Sequence, residues 1–468
     1  MNNISQSDML LQDANNEVSR FITKFRVGDI LKKCNAYKQK GISVVKIFTY
    51  LVTLMFQNLS TYMAMRVGAY KEDFSKNTIR RFCNNPSINW HKFMLILSNR
   101  LVSEFMRPAT SDKRDEFFIF DDTPFKKSGK KTELVSRFFN HVSMKHETGY
   151  RILSLLWSDG YSNVPVDFVP LSSANDKLLI SGVKEYDGRS IAGQIRKHAC
   201  MKAPDLMLLM IAKAKAAGHR AKYVLFDSWF ATPKGIIDIK ESTGMDVIAN
   251  IKKTSKVYYE YESSQLDVKK IYSACKKRRG LSKYLLSVNV NIIQKENGMI
   301  TKRVPAKLVY VRNKANSKEW IAIISTDISL SEEEIIRRYG YRWNIEVYFK
   351  TCKQYLKYTK ECQSTSFDSL TAHIAIANVR YMILSMFQRE NTDERSLGEL
   401  FCLFTEEVAE ITFNESMRII VSALFETVRE MLSLTDQQME MLVQSFIGRL
   451  PEYLRRPLID SLSSYNVA

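Results

Sequence analysis

Cysteine pairs, histidine clusters and long apolar runs are all missing from this sequence, and each absence removes a class of protein. The seven cysteines (Cys34, Cys83, Cys200, Cys275, Cys352, Cys362 and Cys402) occur singly, with no CxxC pair and no histidines at zinc-ligand spacing. That excludes a disulfide framework and a structural zinc centre, and leaves reduced, mostly buried thiols as the expectation. No basic stretch followed by an apolar one opens the chain, so no export signal is expected and a cytoplasmic location is. The most apolar early run, VVKIFTYLVTLMF from Val44, is too short to span a bilayer and is interrupted by Lys46. It reads as a buried helix, and no membrane partner is expected. No segment is low in complexity, and with 45% hydrophobic and 11% aromatic residues the chain is expected to fold throughout.

Acidic residues are also in short supply. Against 69 Lys and Arg stand 50 Asp and Glu, a formal charge of +19, which attracts a polyanion and repels itself without one. Nucleic acid is the first partner to consider. The excess is concentrated: between Lys252 and Trp320 there are 17 Lys and Arg but 5 Asp and Glu, with the cluster KKRR at Lys276, Lys277, Arg278 and Arg279. A second basic stretch, KKSGKK, runs from Lys126 to Lys131. Both read as surfaces that track a phosphate backbone without specifying sequence, the alternative being loops of solvated lysine.

At 468 residues the chain exceeds what one hydrophobic core usually organises, and its periodicity divides it. Residues 1–112 have helical spacing and are expected to form a DNA-binding region. Within them NTIRRFCNN, from Asn77, reads either as a DNA-reading helix or as an ordinary solvated one, with Ser75, Asn77 and Ser87 as candidate caps. From Phe117 the period changes to that of strands: FFIFD, YRILSLLW from Tyr150 and VPVDFVPL from Val164 are short runs of β-formers between turn residues. A helical stretch PDLMLLMIAKAKAAG, the strand YVLFD (Tyr223 to Asp227), a helix near 233–241 and the strand DVIANI follow. The order β-β-β-α-β-α-β over 113–251 resembles the ribonuclease-H-like α/β core, which makes α/β the expected fold class. Residues 252–320 alternate as strands and read as a basic β-rich insertion. Residues 321–362 complete the core, with SEEE at Ser331 as a capping box opening one long helix. Residues 363–468 return to helical spacing, a C-terminal region available for dimerisation.

Chemistry is concentrated in YGYRWNIEVYFKTCK, Tyr339 to Lys353. At about 100° per residue, Tyr339, Arg342, Glu346, Lys350 and Lys353 fall within a band of roughly 80° on one side of a helix. Ile345, Phe349, Cys352 and Leu356 make an apolar stripe beside it. A charged stripe alone is most simply a solvated face with i,i+4 pairs. Here it is preceded by two apolar strands ending in aspartates, FFIFD in Asp121 and YVLFD in Asp227, and the ends of neighbouring strands bring such carboxylates together. Asp121, Asp227 and Glu346, with no histidine or cysteine ligand, are hard oxygen donors suited to Mg²⁺, with Mn²⁺ as substitute, and not to zinc. Two such ions about 4 Å apart suit an in-line displacement at phosphorus.

The same stretch fits the Y-x2-R-x3-E-x6-K signature of the IS-four family of bacterial insertion-sequence DDE transposases, at Tyr339, Arg342, Glu346 and Lys353. The resemblance extends from about Phe117 to Lys353 and takes in IFDDT, VLFD and the β-rich insertion. It implies that Asp121, Asp227 and Glu346 are the catalytic residues and bind two Mg²⁺ ions. Asp122 is the alternative to Asp121, which is preferred because it stands two places before Thr123 and because alternation puts the two on opposite faces. The resemblance also implies that Tyr339, Arg342 and Lys353, with Lys350 on the same stripe, hold phosphates of double-stranded DNA at the transposon end. Trp320 takes the place of an indole that stacks on a flipped base, an interaction worth about 1–3 kcal/mol; the alternative is an indole that simply begins a core strand. The implied reaction is cut-and-paste transposition through a hairpin, by a homodimer that joins two ends. Two other readings stay open: a ribonuclease-H-like nuclease without strand transfer, and a domesticated, catalytically silent DNA-binding protein.

Overall fold

The computed structural model describes residues 17–54, 75–111, 113–140, 143–278, 282–312, 319–360, 362–390 and most of 424–449. Ahead of the sheet lie α1 (Val27–Lys33), α2 (Val44–Thr53), α3 (Lys76–Cys83) and α4 (Trp90–Leu101). The apolar run marked by the sequence is α2, and its Ile47, Phe48, Leu51 and Val52 are buried. Helix α4 starts at Asn89, whose side chain accepts from the Lys92 amide at 2.9 Å, and not at the expected Ser87. Ser87 is already held in a turn by the side chain of Asn85.

Strands β1 (Phe117–Lys126), β2 (Ser136–Asn140), β3 (Lys145–Ser158), β4 (Asn163–Leu171), β5 (Tyr223–Phe226), β6 (Asp246–Asn250), β7 (Tyr259–Tyr261), β8 (Ser264–Leu266), β9 (Leu286–Glu296), β10 (Met299–Arg312) and β11 (Trp320–Ser325) form one mixed sheet. Its order is β2-β3-β1-β5-β6-β11-β10-β9-β7-β8, with β4 beside the second half of β3. β1 is antiparallel to β3 and parallel to β5, and β5 is parallel to β6. Parallel neighbours need crossovers, supplied by α5 (Ile191–Ala199) and α6 (Ala203–Ala216) before β5 and by α7 (Pro233–Thr243) before β6. The fold is mixed α/β, with β2 and α5 added to the order read from sequence.

Residues 252–320, which also carry α8 (Val268–Ala274), do not stand apart from this sheet. β11 is antiparallel to β6, with Ile323 opposite Asn250; β10 pairs with β11, and β9 with β10. Val290, Ile292, Leu308 and Tyr310 belong to the same buried cluster as Phe118 and Leu225.

The single helix expected after Ser331 is two. α9 (Glu332–Gly340) opens with the expected capping box of Ser331 and Glu334, and α10 (Trp343–Gln354) follows a tight turn. In that turn the Tyr341, Arg342 and Asn344 amides donate three residues back, to Arg338, Tyr339 and Tyr341, which overwinds the chain. The turn is held from outside. Tyr341 packs on Phe117 with ring centroids 5.1 Å apart, and Asn344 Nδ2 donates to Ser158 Oγ at 3.3 Å. Gly160, at φ +86°, lies so close to the Tyr341 ring that a Cβ would sit 3.0 Å from it.

Against this assembly packs α11 (Phe367–Glu390), which by length and composition could cross a membrane; 89% of its most apolar 18-residue window is buried inside the fold. Its polar residues tie remote segments together. Tyr348 of α10 donates to Asn378 Oδ1 at 2.6 Å. Arg380 donates to the carbonyls of Leu51 and Val52 at the end of α2 and of Leu356 beyond α10, where helix-end acceptors have no partner of their own. At the other end, Arg196 of α5 forks to both Glu133 (2.6 and 2.9 Å) and Asp368 (3.0 and 2.9 Å), all three buried.

Removing one member of such a buried set strands the others, at a cost of about 3–5 kcal/mol. Arg196→Met is therefore expected to lose that much stability in urea unfolding; a loss below about 1 kcal/mol would mean that the set does not hold α5 and α11 in place.

Candidate active site

β1 and β5 pair only as far as Phe120 opposite Phe226. The next residue on each is an aspartate, so Asp121 and Asp227 stand side by side at the strand spacing of about 4.8 Å. β6 carries the row one strand further: Ala249 lies opposite Phe226, and the following Asn250 donates to Asp227 Oδ1 at 3.5 Å. The sequence places both aspartates at strand ends. Asp227 lies just past the end of β5, but β1 continues to Lys126, because β3 goes on pairing with it, Asp121 opposite Ser154. What ends at Asp121 is its ladder with β5, and the crevice opens where that ladder stops.

The pleat separates Asp121 from Asp122. Asp122 pairs with Arg151 and its side chain is nearly inaccessible, whereas Asp121 Oδ2 faces Arg342 Nη1 at 3.5 Å. Burial and then the neighbouring Asp122 charge, with Asp227 adding to them, push the Asp121 carboxyl from 3.8 up to about 7; the Asp122 amide and Arg342 act in the opposite direction.

Arg342 stands in the turn ahead of α10. Its Nη2 donates to Glu346 Oε1 at 2.5 Å, one helical turn on, while the other arm reaches Asp121, and its guanidinium lies 5.8 Å from the Tyr339 ring. Lys353 is half-buried and feels both Asp121 and Asp122; burial lowers its pKa and the two carboxylates raise it. The crevice thus brings together Asp121, Asp227, Tyr339, Arg342, Glu346 and Lys353. Lys350 is exposed. The apolar stripe of Ile345, Phe349, Cys352 and Leu356 is buried, and Tyr348 joins it.

Among the described residues no three Asp, Glu, His or Cys side chains are grouped closely enough to hold a metal ion. Asp121 and Glu346 converge on a guanidinium instead of on each other, as like charges do when a cation is at hand. The donor set nevertheless fits a hard divalent cation: all ligand atoms are carboxylate oxygens, two of the groups are adjacent, and one ionises only near neutrality. Glu346 would join once its contact to Arg342 is exchanged.

Around the crevice the aromatic residues divide. Trp320 begins β11 with its ring stacked on Tyr272 (4.8 Å, 28°), Tyr310 edge-on at 5.1 Å and Lys253 Nζ at 4.7 Å, while Lys277 Nζ lies 4.8 Å from the Tyr272 ring. This ladder of cation, ring, ring and cation fixes the root of the basic segment. Lys276 and Arg278 are exposed, and Arg279 lies outside the described residues. Trp229, unremarked in the sequence, is 48% exposed two residues after Asp227, with Lys252 Nζ 4.1 Å and the Arg151 guanidinium 5.7 Å from its ring. Asn250 could have been found as the polar residue that closes DVIAN at the register of Asp227.

Residues 49–291 match the family described as DDE superfamily endonuclease. That is more than half of the chain, and the chain belongs to this family. Endonucleases of the superfamily use divalent metal ions and act on DNA. The matched span contains Asp121, Asp227 and Asn250 and ends before α9. No match was found among curated proteins.

The raised Asp121 pKa makes a prediction about stability. An unfolded aspartate loses its proton near 3.8 and the folded one near 7, so between these values the folded state holds more protons and is destabilised as pH rises. Asp121→Asn removes that loss. In the presence of a chelator the variant is expected to be more stable than the parent at pH 8, by on the order of 3 kcal/mol, with the gain shrinking toward pH 5. An equal gain at both pH values would remove Asp121 as the titrating group.

Proposed function

We propose that this DDE superfamily endonuclease is the transposase of an IS-four-type bacterial insertion sequence, cutting double-stranded DNA at the terminal inverted repeats of its own element and joining the freed ends to a target. The meeting of Asp121, Asp227, Arg342 and Glu346 in one crevice of a strongly basic protein carries this reading. The strand order β4-β3-β1-β5-β6 supports a ribonuclease-H-like core, into which 252–320 is inserted between the second aspartate and the glutamate. Residues 1–112 would bind DNA, and 363–468 would serve dimerisation, since two ends must be held together.

Asp121, Asp227 and Glu346 are the proposed catalytic and metal-binding residues. They would hold two Mg²⁺ ions, or Mn²⁺ in their place, which supply a nucleophile at neutral pH and neutralise the departing oxygen. The rest falls to the chain. Asn250 orients Asp227, and Arg151 holds Asp122 away from the site. Arg342, freed from Glu346, offers a two-pronged grip on a phosphate; Lys353 offers a point charge and Tyr339 a hydroxyl. Lys350 and the exposed Lys276 and Arg278 would meet the DNA backbone further out. For stacking on a base displaced during hairpin formation, Trp229 joins Trp320 as a candidate and is the better placed: it is 48% exposed beside Asp227, whereas the Trp320 ring is stacked on Tyr272 with Tyr310 edge-on to it.

The test is incubation with a plasmid carrying the native gene and its flanks, with Mg²⁺, beside Glu346→Gln. Cuts at both flanks are expected, followed by joined products, with the variant binding DNA as well as the parent but cutting at least a hundredfold less. Cuts without joined products would leave a nuclease, and binding without cuts a silent DNA-binding protein. In the same assay Trp229→Ala is expected to lower covalently closed ends roughly tenfold, and Trp320→Ala to lower the melting temperature instead. Loss of closed ends in Trp320→Ala alone, with unchanged melting, would return the stacking role to Trp320.

A further inference from the structure

Helix α3 has two unlike faces. Ile79 and Phe82 are buried, Phe82 edge-on to Trp90 at 5.7 Å, which locks the helix to α4. The other face is exposed and carries Lys76, Asn77, Arg80 and Arg81, with Asn84 at its foot. Asn77, Arg80, Arg81 and Asn84 line a shallow open depression. The helix contains no acidic residue, and among the described residues neither Arg80 nor Arg81 forms an ion pair. Arg81 Nε donates to the Asn77 carbonyl at 3.3 Å. Asn84 is used structurally, donating to the Arg80 carbonyl at 2.8 Å and accepting from Ser364 at 3.4 Å.

Charge alone would suit any polyanion, but these residue types do more. A lysine-rich face grips phosphates as point charges; an arginine fork also matches the O6 and N7 acceptors of guanine, and an asparagine amide matches N6 and N7 of adenine. Placed on one short helix, firmly seated by its apolar side, they suit the major groove, which is wide enough to admit a helix.

Location agrees. Ser364 lies two residues from Cys362, whose carbonyl accepts from Lys127, the residue after β1 ends. Asp121 and Lys127 are therefore separated by roughly 20 Å of extended strand. Through Asn84, Ser364, Cys362 and Lys127, α3 is tied to the far end of the strand that carries Asp121.

We propose that α3 is the element that reads base sequence, with Asn77, Arg80 and Arg81 contacting base edges in the major groove and Lys76 the adjacent phosphate. The proposal rests on DNA being the substrate, and its test is run without divalent metal, so that it stands or falls apart from cleavage. The full chain is used to select from a random-sequence duplex library, and affinities for the enriched and a scrambled duplex are compared. The parent is expected to enrich a motif. Arg80→Lys and Arg81→Lys, which keep the charge and lose the fork, are expected to cut the preference for that motif by about 5- to 150-fold at one or two adjacent positions. Affinity for the scrambled duplex and its salt dependence should stay as they were. Asn77→Ala should relax a neighbouring position. Enrichment of the same motif by all variants, a uniform loss on both duplexes, or no motif from the parent would each overturn the proposal. Melting curves check folding, and the exposed positions predict no change.

Discussion

Carboxylates gathered in a half-buried crevice repel one another, and in this fold one guanidinium, that of Arg342, bridges two of them. Arg342 can do so because of where its backbone is held. It sits in the overwound turn between α9 and α10, and that turn is clamped by Tyr341 against Phe117 and Gly160 and by Asn344 against Ser158. Phe117 opens β1, four residues before Asp121, and pairs with Ser158. The strand that carries the first aspartate therefore also sets the position of the arginine and, one helical turn later, of the glutamate. A lysine there would reach one carboxylate as a point charge; the planar fork reaches two.

The same device recurs away from the crevice. Arg196 joins α5 to Glu133 and to the first turn of α11, Arg380 closes the ends of α2 and α10, and Arg338 of α9 pairs with Asp115 ahead of β1. Each guanidinium is largely buried and connects segments remote in sequence. Part of the basic excess is therefore structural and never meets a ligand. Of the share that remains outside, Lys76, Arg80 and Arg81 are exposed on α3, and Lys276, Arg278 and Lys283 on the approach to β9.

Much of this was legible. The change of period at Phe117, the apolar runs ending in Asp121 and Asp227, the capping box at Ser331 and the buried stripe of α10 all follow from local pattern, which the structure keeps. What was not legible depends on neighbours. The continuation of β1 past Asp121 is decided by β3, and the break at Tyr341 by contacts with Phe117 and Gly160. Asn250 gains meaning only from the register that sets it beside Asp227. Trp320 and Trp229 look alike in sequence, each beside a strand; only packing tells the covered ring from the exposed one. The basic segment showed its charge and strand period but gave no sign that its strands would extend the central sheet.

That continuity has a mechanical side. From β1 to β9 there are five strand spacings without a gap, on the order of 24 Å, or about seven base pairs of duplex. The crevice and the basic hairpin are thus two points of a rigid caliper, not two jaws on a hinge. A duplex that touches both must conform to a span it cannot alter, so any misfit is taken up by the bending of the DNA, and the stiffness of base pairs between the two contacts enters the binding energy although no side chain reads them.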